Sequence, residues 1–167
     1  MQFFSLIRHI LFGSCFMAIT SANPANAQDS WRDLYRPQTF DGMPCRVMTP
    51  LSFAPNTNYP VIVSLHGAGG KGTDNKKQLK DWNRQLAEKQ IRMDFPCYVV
   101  APQADQLWNS EHLRKIKNII GTLPSADMNR IYVLGHSMGG HGTYIFTQLD
   151  PDFFAAAAPS AGSGLRR

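Results

Sequence analysis

The sequence predicts an α/β fold: a doubly wound, mostly parallel sheet with helices on both faces. Three observations predict it. Val61-Ile62-Val63-Ser64-Leu65 and Cys97-Tyr98-Val99-Val100-Ala101 are near-continuous apolar runs rich in β-branched residues, the composition of strands buried on both faces. These runs alternate with helix-length segments, the pattern of βαβ units. Two Gly-rich turns, at His66 and at Ser137, follow strands, where parallel sheets bind their ligands.

Composition narrows the class further. The 167 residues suit one domain, and no internal repeat suggests a solenoid. Apolar residues make up 43% and charged residues 17%, which excludes a disordered, solvating chain. The net charge of +5 comes without a long basic run or a groove-reading element, so nucleic acid is not an expected partner.

Residues 1–27 read as a secretory signal. Arg8 and His9 precede an apolar stretch from Ile10 to Thr20, and Ala25-Asn26-Ala27 is a small-x-small site. Cleavage is expected between Ala27 and Gln28, with the product secreted or periplasmic. The stretch is short for a membrane span, so no stable membrane anchor is expected. Secretion permits disulfides, and Cys45 and Cys97 remain after cleavage as one possible bridge or two free thiols.

From residue 28 the chain is expected to form the N-terminal part of one domain, up to residue 167. Residues 28–40 read as a surface lead-in. Asp41-Gly42 is a turn signal before a short strand around Cys45–Thr49. After the strand at Val61–Leu65, a polar helix is expected from about Asp74 to Gln90. The strand at Cys97–Ala101 is stopped by Pro102, and residues 110–121 read as a helix ended by Gly121. Arg130–Leu134 is the next strand, His141–Leu149 a helix closed by Asp150-Pro151, and Ala155–Ala158 a small-residue strand.

Gly135-His136-Ser137-Met138-Gly139 matches G-x-S-x-G between a strand and a helix, the context that the motif requires. A tight strand-to-helix turn strains the serine backbone, and glycines beside it remove side-chain clashes. The turn lifts the Ser137 hydroxyl above the sheet edge. The helix start behind it offers unpaired N–H groups to an oxyanion.

His66-Gly67-Ala68-Gly69-Gly70 ends the other strong strand and reads as the second half of an oxyanion hole. The backbone N–H groups of Ala68 and Met138 would bracket the oxygen, Gly67, Gly69 and Gly70 would let the backbone approach, and His66 would brace the loop. Gly67 to Gly72 also matches G-x-G-x-x-G, but no acid follows at a strand end at the required distance, and a phosphate-binding lysine motif fails as well. No nucleotide or other cofactor is expected. Without C-x-x-C, H-E-x-x-H or a tight Cys/His cluster, no metal is expected either.

With both turns in hand, the chain resembles the α/β-hydrolase superfamily, in particular secreted esterases of the polyhydroxybutyrate-depolymerase and feruloyl-esterase type, including proteins labelled predicted peptidases. The matching stretches include Asp41-Gly42-Met43-Pro44, Tyr59 to Gly69, Gly72-Thr73-Asp74-Asn75, Pro96 to Gln103, Arg130 to Gly140 and Pro151 to Ala156. The resemblance implies a serine hydrolase of small-molecule or polymeric esters. Ser137 would be the nucleophile, Ala68 and Met138 the oxyanion donors, with His66, Gly67, Gly69, Gly135, His136 and Gly139 as motif support.

That family orders its triad as serine, acid, histidine. After Ser137 the sequence holds Asp150, Asp152 and His141, and none suits the role. His141 lies one turn along the helix that leaves the site, and the two acids lie at its far end. The fold is therefore expected to be incomplete, with its last strands, acid and base missing. The chain by itself is expected to show little turnover, and a non-catalytic fragment or binding module is the alternative. Nothing in the sequence sets the oligomeric state.

Overall fold

A computed structural model describes residues 30–163. The expected leader and its cleavage site at Ala27/Gln28 lie outside these residues. Six strands form one sheet in the order β1-β2-β4-β3-β5-β6. They are β1 (Arg36–Phe40), β2 (Met43–Met48), β3 (Tyr59–Leu65), β4 (Tyr98–Pro102), β5 (Ala126–His136) and β6 (Ala156–Ser160). β1 and β2 run antiparallel at one edge, and β4, β3, β5 and β6 are parallel. The fold class expected from the sequence is the one observed.

Residues 30–40, within the surface lead-in expected over 28–40, depart from that expectation. They are not a mere lead-in: a helical turn α1 (Ser30–Asp33) precedes the edge strand β1, and Tyr35 between them is fully buried. Asp41 and Gly42 both have positive φ, 49° and 74°. That is the two-residue hairpin turn whose twist suits antiparallel neighbours, and it pairs Phe40 with Met43.

The helix expected over 74–90 also departs from expectation. It is two short helices, α2 (Asp81–Leu86) and α3 (Lys89–Asp94), after a loop. Asp74 Oδ1 accepts the backbone N–H groups of Lys76 and Lys77, and Asn75 has φ 54°. Both side chains bond backbone in ways that compete with a helix.

Alternation along the strands sorts the core. Val61, Val63 and Leu65 of β3, Val100 of β4 and Ile131 and Val133 of β5 meet the helices α4 (Ser110–Gly121) and α5 (Met138–Leu149) through Ile116, Ile119, Ile120 and Phe146. The other face packs Met48, Val99, Ala101 and Ile62 under α1, α2 and Leu79. This second face is covered only in part. Tyr132, Leu134, Ala156 and Ala158 line a groove of about 240 Å³ there, and β6 is an exposed edge among the described residues.

The possible Cys45–Cys97 bridge does not form, and both thiols are free. Cys45 pairs with Pro102 at one end of β4, whereas Cys97 precedes Tyr98 at the other. Five residues of strand separate the two ends by roughly 16 Å, far beyond disulfide reach. Burial pushes the Cys45 thiol up to about 12 and the Cys97 thiol up to about 11.

Candidate active site

Parallel strands β3 and β5 end side by side, with Leu65 paired to Gly135. Their next residues make the two Gly-rich turns, so sequence-distant motifs become neighbours. Ser137 has φ 56° and ψ −117°, a strained conformation for a residue with a side chain, and it stands exposed at the start of α5. Its carbonyl accepts the N–H of His141 at 2.9 Å. The flanking glycines are required by space. A Cβ on Gly135 would lie 2.3 Å from the Gly139 carbonyl oxygen, and one on Gly139 would lie 2.2 Å from that of Leu65.

The His66 turn faces it. A Cβ on Gly67 would meet the His136 carbonyl oxygen at 3.1 Å and Ser137 Cβ at 3.6 Å. Ala68 begins a single 3-10 turn, Ala68–Gly70, and Met138 begins α5. First-turn N–H groups have no partner inside their own helix, so both amides are available at this end of the sheet. The three glycines of this turn differ. At Gly70 a Cβ would strike the His66 ring at 2.6 Å, while nothing lies within 4 Å of one at Gly69. Close approach therefore does not account for Gly69.

His66 is fully buried. Its Nε2 accepts the Ala104 N–H at 3.0 Å, and its Nδ1 donates to the Gly67 carbonyl at 2.8 Å. An accepting Nε2 places the proton on Nδ1, so the ring is neutral. Burial lowers its pKa to about 4. Trp108 packs 4.9 Å from the ring and donates its indole N–H to the His66 carbonyl at 3.2 Å. With both ring nitrogens engaged, His66 serves the loop and is not aimed at Ser137.

Gln103 and Asn75 extend this support, and the sequence reading assigned neither a role. Gln103 Nε2 donates to the Gly70 carbonyl at 3.0 Å and to Asp74 Oδ1 at 2.8 Å, and its Oε1 accepts the Asn75 N–H at 2.6 Å. Asp74, with this bond and two backbone N–H groups on its carboxylate, has its pKa held well below the usual range. Asn75 Nδ2 reaches the carbonyls of Gln38 and Cys45, which ties the turn to the β1–β2 hairpin. Gly72, at φ +142°, donates its N–H to Ala104. No long helix opens from this glycine run, since α2 begins at Asp81, so the context for dinucleotide binding is absent.

The candidate acids and bases stand elsewhere. His141 Nδ1 lies 2.5 Å from the Ser163 carbonyl. Asp150 caps the far end of α5, about 20 Å along the helix from Ser137, and pairs with Lys117. His112 belongs to the capping box of α4. Among the described residues no carboxylate or imidazole hydrogen-bonds the Ser137 hydroxyl. A cavity of about 540 Å³ lies at the opposite end of the parallel strands, against Tyr59, Ile62, Phe95, Cys97 and Arg130, and plays no part in this site.

No family profile and no curated protein matches the chain. Solved structures do. The chain is similar to a thermostable esterase at 34% identity and a TM-score of 0.75, over 81% of this chain and 43% of that one. An S-formylglutathione hydrolase from Staphylococcus aureus shares the fold at 16% identity and a TM-score of 0.61, over 77% of this chain and 57% of that one. A fluorophosphonate-binding serine hydrolase of the same organism does so at 18% identity and 0.57, over 72% and 51%. These likenesses show the α/β-hydrolase fold, and the chain resembles esterases of that fold. It spans 43% to 57% of the lengths of these three structures.

Proposed function

We propose that this protein is a serine hydrolase of carboxylic esters, with Ser137 as nucleophile. The observation that carries the proposal is the pairing of the two turns. Ser137 is exposed in a strained strand-to-helix conformation, against a turn that presents Ala68. The Ser137 hydroxyl oxygen attacks the acyl carbon of a small-molecule or polymeric ester. The carbonyl oxygen becomes an oxyanion held by the N–H groups of Ala68 and Met138. Collapse expels the alcohol and leaves the acyl group on Ser137, and water then releases the acid.

The attack needs a base for the serine proton, and the described residues place none on Ser137. In the working hydrolase the base and its orienting acid come from outside residues 30–163. Oxyanion stabilisation and binding alone sustain only residual catalysis, so the 167-residue chain hydrolyses activated esters slowly. A fluorophosphonate probe tests the proposal, with the modified peptide located by mass spectrometry. Labelling at Ser137, lost in Ser137→Ala, is the expected result. With no base placed on Ser137 the labelling is slow, and a wild-type protein labelled no more than Ser137→Ala after prolonged exposure would turn the assignment toward a non-catalytic binding module.

A further inference from the structure

The segment pressed against the nucleophile from the β6 side is the end of that strand. The Ser160 carbonyl accepts the Ser137 N–H at 2.9 Å. Its hydroxyl lies 3.3 Å from His136 Nδ1, because the β5–β6 register sets His136 opposite Ser160 and directly opposed residues share a face. There is no slack in this junction. A Cβ on Gly140 would lie 2.3 Å from the Ser160 carbonyl oxygen, and one on Gly162 would lie 2.3 Å from the His141 nitrogen. Trp82 stands 6.5 Å from the His136 ring, its indole N–H held by Ser64 Oγ at 2.8 Å. Ser64 Oγ also accepts from Asn83 at 3.0 Å, so α2 fixes Trp82 against β3.

We infer that Ser160 is a positioning residue for Ser137: its carbonyl anchors the nucleophile's amide, and its hydroxyl holds the imidazole of the preceding residue. The inference rests on Ser137 being the nucleophile. A residue in a sparsely populated backbone region relaxes unless its neighbours over-determine it. Ser160 supplies two constraints, one on each side of the His136–Ser137 peptide. It also divides the labour of the amides. The Ser137 N–H is spent on the fold, which leaves the Met138 N–H for the oxyanion.

The test is the second-order rate of fluorophosphonate labelling of Ser137 in Ser160→Ala, Ser160→Thr, His136→Phe and the double variant S160A/H136F, with Tm measured for each. Ser160→Ala labels about fivefold more slowly, the size of one net hydrogen bond, and Ser160→Thr recovers most of the rate. Because the hydroxyl acts through His136, the double variant is no slower than the slower single variant. Unchanged labelling in Ser160→Ala, or losses that multiply in the double variant, would overturn the inference. The ¹⁵Nδ1 resonance of His136 decides the contact without a reactive serine. It moves in Ser160→Ala and returns in Ser160→Thr if the hydroxyl holds the ring, and a resonance that stays in place defeats the proposal. An unlabelled wild type whose His136 resonance responds to Ser160 would sink the nucleophile assignment while sustaining the grip of Ser160 on His136.

Discussion

The two turns at the candidate active-site end of the sheet are built by opposite means. Around His66, side chains do the holding. The imidazole accepts the Ala104 N–H, the Asn75 amide donates to the Gln38 carbonyl, and the Trp108 indole and Gln103 amide donate to the turn's own carbonyls at His66 and Gly70. Around Ser137, the lack of side chains does it. Gly135 and Gly139 let β5, α5 and the end of β3 come within contacts that a Cβ would forbid. One turn depends on polar bonds and responds to pH and to loss of a partner. The other depends on volume and responds to a single added methyl group.

The largest predicted effect is on the glycine side. Gly139→Ala drives a Cβ into the Leu65 carbonyl and should cost about 3 kcal/mol or more, since the obstacle is backbone and cannot rotate away. Gly69→Ala, with open space around its Cβ, should change stability by less than about 1 kcal/mol. Urea midpoints compare the two, and similar losses would break the volume argument.

The pH response of the His66 turn comes next. Its folded pKa is lowered from 6.5 to about 4, so the unfolded chain binds the extra proton first as pH falls. The stability tied to the neutral ring is fully present above about pH 6.5. It is lost progressively down to about pH 4, by roughly 3 kcal/mol in all. Denaturation profiles of wild type and His66→Gln should differ most in this window, and parallel profiles would remove His66 as the cause.

Gln103→Leu is predicted to cost about 2 kcal/mol, because it strands the Gly70 carbonyl and the Asn75 N–H without partners. It should also slow labelling of Ser137 while leaving the site of labelling unchanged. A stable variant with the wild-type labelling rate would show that the turn keeps its shape without this amide. The smallest effect expected is none at all. With Cys45 and Cys97 at opposite ends of β4, reductant should change neither the mass nor Tm of the protein, and a gain of two hydrogens on reduction would contradict the strand register.

Much of this site was legible in the residues. The G-x-S-x-G spacing between a strand and a helix is local chemistry, and the strained Ser137 backbone and crowded Gly135 and Gly139 follow from it. His66 as a brace was legible too, from its place beside a glycine run. The start of the helix expected at 74–90 failed through the local Asp74 turn onto Lys76 and Lys77, reinforced by partners of Asp74 and Asn75 that lie 28 or more residues away and that no window along the chain displays. Ser160 carried no signal, since only pairing with β5 brings it to Ser137.

The sequence by itself determined five of the six strands, the two turns and the tight glycines at 135 and 139, because β-branched runs, caps and glycine act over a few neighbours. The tertiary structure alone decided which turns face one another, which backbone groups Gln103, Asn75 and His66 satisfy, and that β6 closes on Ser137. These depend on strand order and register, where a shift of one residue exchanges the faces of a whole strand.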